Sequence, residues 1–306
     1  MAGFVLRRGL IAIPTLWVAV TLVFFLFRLI PGDPAQLIAG ELAPQQVVEN
    51  IRHQMGYDQP LPLQYLHYLT GLAQGDLGIS KVYQQNASAQ LVQRAPATFE
   101  LAAAAMLLAI LLGIMAGVAS AVKQFSWIDY AATVGAVAGI SIPAFWLGLM
   151  LISLFAVELG WAPTGGFEEP DAIILPAVTL AGYPLAVIAR QTRSAMLEVL
   201  RQEHVRTARA KGLGERAVII RHALRNALIP TVTIAGLQMG YLLGGSIIVE
   251  TVFSWPGLGA LMIDSIRIRD YTMVQAAALL FAATFLILNL LVDMLYAYLD
   301  PRVRYG

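Results

Sequence analysis

The sequence contains no cysteine. That excludes disulfides, thiolate zinc sites and cysteine nucleophiles. Lysine is almost as scarce, occurring at Lys81, Lys123 and Lys211 only. None of the three stands in a G-x-x-x-x-G-K-[ST] phosphate loop, so nucleotide hydrolysis within this chain is excluded as a reading. Charge of either sign is thin, at 13% of 306 residues, where soluble chains carry roughly 25%. A net charge of +1 argues against a basic nucleic-acid binder. The four histidines (His53, His67, His204, His222) share no ligand spacing, so no metal site is expected. No Ser-His-Asp set or mid-span carboxylate pair points to an intramembrane hydrolase.

What the chain has instead is apolar surface. Hydrophobic residues make up 58% of it, and the mean hydropathy is +0.70. A soluble fold of this size lacks the interior to hide so much apolar area. The expected class is an all-α integral membrane protein forming a single membrane domain over residues 1–306.

A bilayer core about 30 Å thick takes about 20 apolar residues per helix. Six spans satisfy this: 9–30, 98–122, 128–155, 172–189, 227–249 and 273–299. The first is read as a retained helix rather than a signal peptide. Its apolar run is long, and Pro31-Gly-Asp-Pro34 follows it instead of an A-x-A site. Pro143, Pro176, Gly182 and Pro184 are expected to break the third and fourth spans.

Basic residues fall unevenly between the loops. One side of the membrane receives Arg7, Arg8, Lys123, Arg201, Arg206, Arg209, Lys211, Arg216, Arg221, Arg225, Arg302 and Arg304; the other receives Arg267 and Arg269. Short loops rich in Lys and Arg stay cytoplasmic, so both termini are expected inside. The long 31–97 segment is then extracytoplasmic. It carries two short amphipathic stretches, Val47–Met55 and Leu63–Gln74, punctuated by Gly and Pro.

The polar 198–226 segment holds seven basic residues. It reads as a helix over Glu198–Gly212 ended by the glycine, a break at Gly214, and a second helix over Glu215–Asn226 entering the fifth span. Two readings stand on the residues alone. One is a loop that fixes topology. The other is a docking element whose small residues, Thr207, Ala208, Ala210 and Gly212, permit close backbone approach.

Ionisable groups at membrane depth are costly and therefore singled out. Arg28 lies near its helix end and is expected to snorkel. Glu100, Asp129, Arg190 and Glu250 fall at expected span ends, where the interface solvates them. Asp293 is deeper, placed to pair with an arginine of a partner subunit or to face a cavity. Gly240, Gly244 and Gly245 permit close helix crossing, suited to a subunit interface or a narrow pathway. The methionines Met196, Met239, Met262 and Met294 read as packing.

Arg206-Thr-Ala-Arg-Ala-Lys-Gly212, nine residues, then His222-Ala-Leu-Arg225 resembles the E-A-A-x-x-x-G-x9-I-x-L-P loop of ABC-importer permeases. Arg206 replaces the Glu of that pattern, His222 the Ile and Arg225 the Pro, as in the form typical of the peptide and nickel branch. Other features of that branch run end to end: Leu29-Ile-Pro-Gly-Asp-Pro34, Tyr57-Asp-Gln-Pro-Leu61, Gly75-Asp-Leu-Gly-Ile-Ser80, Gly139-Ile-Ser-Ile-Pro-Ala-Phe145, Gly244-Gly-Ser-Ile-Ile-Val-Glu250, Trp255-Pro-Gly-Leu-Gly259 and Asp300-Pro-Arg302.

The resemblance implies a type I ABC-importer permease fold in the bacterial inner membrane. It implies a second homologous permease, two ATPase subunits holding ATP and Mg, and an extracytoplasmic substrate-binding protein. No cofactor is implied in this chain. Glu203, Arg206, Thr207, Ala208, Arg209, Ala210, Lys211 and Gly212 would form the ATPase-coupling helix. Substrates implied are dipeptides, oligopeptides or glutathione, with nickel as the alternative. A stand-alone secondary transporter would favour inverted repeats and paired embedded charges, which the sequence lacks.

Overall fold

The structure, a computed structural model, describes residues 2–29, 33–40, 42–80 and 82–299. Ile30–Gly32 of the first proline motif and the Asp300–Arg302 motif lie outside the described residues.

The described chain is helical almost throughout. The elements run α1 (Ala2–Leu29), α2 (Pro34–Ala39), α3 (Gln45–Gln54), α4 (Leu61–Ala73), a two-residue hairpin β1 (Ile79–Ser80) and β2 (Gln85–Asn86), and α5 (Ala87–Val122). Then follow α6 (Trp127–Ser141), α7 (Ala144–Leu151) continuing as a π-turn to Glu158, α8 (Ile174–Val199) and α9 (Glu203–Ala210). The one-turn α10 (Glu215–Ala217) runs through a π-helical stretch into α11 (Arg225–Val252), and α12 (Leu258–Arg267) and α13 (Tyr271–Leu299) close the order. Five helices are long and apolar enough to cross a bilayer, and α6 with α7 makes a sixth crossing if the bent pair is one span.

The third expected span is not one rod. α6 and α7 meet at 109°. Pro143 has no N–H to give the Gly139 carbonyl one turn below, and it forces Ile142 into an extended conformation (φ −79°, ψ 123°). In the fourth span, by contrast, Pro184 sits inside a continuous α8.

Small residues let the bundle close. A Cβ on Gly117 of α5 would stand 2.5 Å from Thr192 Cβ and 2.6 Å from the Ala189 carbonyl of α8. Gly113 meets Ile188 and the Leu185 carbonyl in the same way at 2.9–3.0 Å. Lipid offers no hydrophobic drive to helix association, so close backbone approach and dispersion carry it instead. The core of the bundle follows these seams, with Leu101, Ala105 and Ala109 of α5 against Leu180 and Ile188 of α8 and Leu242 of α11.

The 33–97 segment packs on the bundle. α4 lies along α1, with the Thr21 and Tyr65 hydroxyls 2.6 Å apart and Phe24 packed edge-on to Tyr65. Arg28 bends back over the Phe24 ring at 3.4 Å and donates to Gln64 Oε1 at 3.2 Å, which is where its snorkelling ends. Burial pushes the Tyr68 phenol on α4 up to about 12. α3 and α4 match the two expected amphipathic stretches, while the hairpin and α12 were not foreseen. Residues of the first proline motif have a local use: Asp33 accepts from the Ala35 N–H at 3.0 Å, capping α2, and pairs with Arg52 at 2.5 Å.

Candidate functional site

The expected helix over Glu198–Gly212 is two helices. α8 ends at Val199 and α9 begins at Glu203. Val199 and Val205 are six residues apart, about 240° around a continuous helix, yet both enter one apolar cluster with Met196, Val218, Ala223 and Ala227. The chain must turn between them to bury both. α9 is thereby fastened across the ends of α8 and the π-helical stretch.

That attachment fixes which face of α9 is free. Val205 and Ala208 point inward, 0% and 4% exposed. Ala208 is therefore not part of the outward small-residue face expected from sequence; its methyl packs on the chain's own core. At about 100° per residue, Glu203, Arg206, Thr207 and Ala210 lie on the opposite side, and all four are exposed. Arg206 donates to Glu203 at 2.7 Å. Arg209 flanks the face and grips Glu215 with two bonds, at 3.1 and 2.6 Å, and that hydrogen bonding raises the guanidinium above its ordinary value.

Gly212 takes φ +77°. Its N–H reaches Arg209 O at 2.9 Å and Leu213 N–H reaches Ala208 O at 3.4 Å, a Schellman closure in which the left-handed residue is glycine. Lys211 and Gly212 are exposed at this end. The result is a rigid two-turn helix presenting one small residue, Ala210, among cationic neighbours.

Above α9 the buried charges tie helices together. Asp129 of α6 was expected to be solvated at a span end; it is 4% exposed. It accepts from Arg193 of α8 at Nε (2.7 Å) and Nη2 (2.9 Å), from the Phe125 N–H at 3.0 Å, and from the Ser120 hydroxyl of α5. A carboxylate so fully paired is tolerable without water. Arg193 was not singled out in the sequence: it falls beyond the expected 172–189 span, and nothing local points to Asp129.

Glu250 departs further from expectation, being fully buried. One oxygen accepts from Thr98 Oγ1 at 2.7 Å; the other takes the Gly259 and Ala260 N–H groups at 2.7 and 3.0 Å. Those N–H groups open α12, so the carboxylate caps it. Thr98 Oγ1 in turn accepts from the Leu258 N–H at 2.8 Å. The Trp255-Pro-Gly-Leu-Gly259 motif is shaped by this anchor. Its indole N–H donates to Ala97 O at 2.9 Å, and Gly257 and Gly259 lie where any side chain would strike Glu250.

The remaining singled-out residues separate. Asp293 pairs with Arg8 of the same chain at 3.1 Å, so the expected arginine of a partner subunit is replaced by one from α1. Gly240 is occupied by packing: a Cβ there would stand 2.5 Å from the Phe285 ring of α13. Gly244 faces open space. Gly245 lines a cavity of about 190 Å³ at the α6–α7 break, together with Tyr183 and Tyr241. The structure does not bring these four together. Glu100 and Arg190 are exposed, as expected of span-end residues.

The bundle of long apolar helices, the sharply bent α6–α7 pair and the short exposed helix between α8 and α11 define a polytopic membrane protein. A solved chain described as an amino acid ABC transporter with histidines matches 69% of this chain and 94% of its own length with a TM-score of 0.56 at 17% identity, which shows the type I ABC-importer permease fold. Two family descriptions match the sequence: the N-terminal "Binding-prot-dependent transport system membrane comp" over residues 1–102 and "Binding-protein-dependent transport system inner membrane component" over 109–305. Glutathione transport system permease proteins GsiC of Escherichia coli K12 and of Salmonella choleraesuis are each 48% identical over 305 residues, covering 100% of both chains. The chain belongs to the family of binding-protein-dependent transport system inner membrane components, and is a multi-pass permease subunit of an ABC importer in its peptide branch.

Proposed function

We propose that this permease carries a small peptide of the glutathione class through the inner membrane, delivered by an extracytoplasmic binding protein. The observation that carries this reading is the 48% identity to glutathione permeases, sustained over the whole chain. In the working importer it pairs with a second homologous permease, toward which the open face around Gly244 is directed. Two ATPase subunits hold ATP and Mg and do all the hydrolysis. No cofactor resides in this chain.

Coupling runs through α9. Each ATPase offers a groove with carboxylates at its rim; Ala210 seats in it, and Arg206, Arg209 and Lys211 reach the acidic groups. Glu203, Thr207 and Gly212 set the edge and end of that contact, and Ala208 holds α9 to the membrane helices from behind. ATP-driven closure is transmitted as a rigid-body shift from α9 into α8, and through Arg193–Asp129 into α6.

Reconstituting the purified importer in proteoliposomes tests the substrate. Glutathione-loaded binding protein should raise ATPase activity and drive glutathione uptake. Equal or greater stimulation by an unrelated solute, with none by glutathione or short peptides, overturns the assignment.

The basic asymmetry of the loops supports cytoplasmic termini. With no native cysteine to remove, single cysteines report sidedness directly. Glu169→Cys should react with a membrane-impermeant maleimide in spheroplasts, and Ala217→Cys only after lysis; both sites are exposed. The reverse pattern would invert the topology and remove α9 from the cytoplasm.

A further inference from the structure

The α6–α7 break lies at membrane depth. By the 1.5 Å rise per residue, Tyr183 is about 14 Å from the start of α8 at Ile174, and Tyr241 about 17 Å from the end of α11 at Val252. Both therefore sit near the middle of a hydrocarbon core about 30 Å thick. The break itself faces them, since Gly139, Ser141 and Pro143 line the same cavity as the two tyrosines. Non-helical backbone at such depth is stable only where protein covers it or where it borders water. Here it borders a cavity of about 190 Å³.

Tyr183 and Tyr241 close one side of that cavity, stacked with ring centroids 4.3 Å apart and planes at 26°. Tyr241 is 43% exposed, so the stack stands at the edge of this chain rather than in its core. Gly245, one turn on from Tyr241, keeps the wall beside the ring small: a Cβ there would lie 3.2 Å from Leu180 Cδ1 and 3.7 Å from Tyr241 Cε1. On the other side, the Gly139 carbonyl has lost its helical donor to Pro143.

We propose that the Tyr183–Tyr241 stack is the mid-membrane closure of the permeation pathway, and that a translocating peptide crosses the Ile142–Pro143 break once the rings part. The Gly139 carbonyl and two phenol hydroxyls suit the amide groups of a short extended peptide, and the ring faces suit its side chains. This inference rests on the importer reading above and assigns the residues that close its pathway.

The test uses the complete importer in proteoliposomes. Tyr183→Cys and Tyr241→Cys, combined in this cysteine-free chain, are bridged with a short bifunctional methanethiosulfonate. Bridging should cut ATP-driven glutathione uptake more than tenfold, and reduction should restore it. Each single cysteine given the same reagent should keep most of its uptake. Undiminished uptake by the bridged pair overturns the proposal. A second measurement needs neither ATP nor binding protein. Vesicles with Tyr183→Ala/Tyr241→Ala should admit radiolabelled glycylglycine at least tenfold faster than wild type, whereas Tyr183→Phe/Tyr241→Phe, which keeps the stack, should stay tight. Double-alanine vesicles as tight as wild type also overturn it. The leak reports closure alone, so a wild-type importer that ignores peptides would refute the substrate reading without touching this result.

Discussion

Replacing Ala210 by Trp should abolish peptide uptake while leaving the permease abundant and correctly inserted. Ala210 points directly away from Val205 and Ala208, the two residues that fasten α9 to its own chain. A large side chain there meets nothing in this subunit and obstructs only what docks on it. Overfilling a packed contact costs about 1–3 kcal/mol, about 5- to 150-fold in the docking equilibrium. ATPase activity should stop responding to the loaded binding protein. Normal uptake by Ala210→Trp at normal abundance would end the docking reading. Ala208→Trp is the instructive contrast: it strikes the core shared by Met196, Val218 and Ala223, so it should lower abundance instead. Gly212→Leu acts in yet another way, through strain at φ +77°.

The contrast between those two alanines marks how far the sequence could be read. Composition, six apolar runs and the clustering of arginines were sufficient for a membrane bundle with an exposed helix between the fourth and fifth spans. Periodicity also placed α3 and α4. It could not say which face of α9 is inward, because Val205 and Ala208 are recognisable as anchors only once Val199 and Val218 are known to share their cluster. The proline at 143 announced a break, but local sequence carried no measure of its size, 109°.

Charged residues were the least legible. Asp129 and Glu250 sit near the ends of apolar runs, and position along a run measures depth only, with no information on what packs from the side. Arg193 approaches Asp129 from 64 residues away, and Thr98 approaches Glu250 from 152 residues away. Local sequence carries no signal for either partnership. Asp293 was expected to pair with a partner subunit's arginine or to face a cavity, and it pairs instead with Arg8, at the far end of its own chain.

The distant partnership around Glu250 carries the other large effect. Glu250→Leu removes the acceptor for three donors, Thr98 Oγ1 and the Gly259 and Ala260 N–H groups, in a site closed to water. Each buried donor left without a partner costs about 1–3 kcal/mol, so about 3 kcal/mol is the smallest loss expected. Against total stabilities of about 5–15 kcal/mol, that is enough to lower abundance severalfold. Glu250→Gln should fall between wild type and Leu, since its carbonyl still accepts while its amide group turns further donors toward donors. The damage should also be directional. α12 loses its cap, and the Trp255–Gly259 turn loses the carboxylate it wraps, whereas α9, at the other end of α11, keeps every contact it has. Thermal unfolding of the detergent-extracted importer should therefore shift down in the order wild type, Gln, Leu. An exposed cysteine at Arg267 on α12 should become more reactive before one at Ala217 does. If Glu250→Leu melts with wild type, the carboxylate is not what holds α12 to α5, and the Trp255 indole bond to Ala97, the Leu258 N–H bond to Thr98 and the Leu91–Leu258–Leu261 packing would have to hold it.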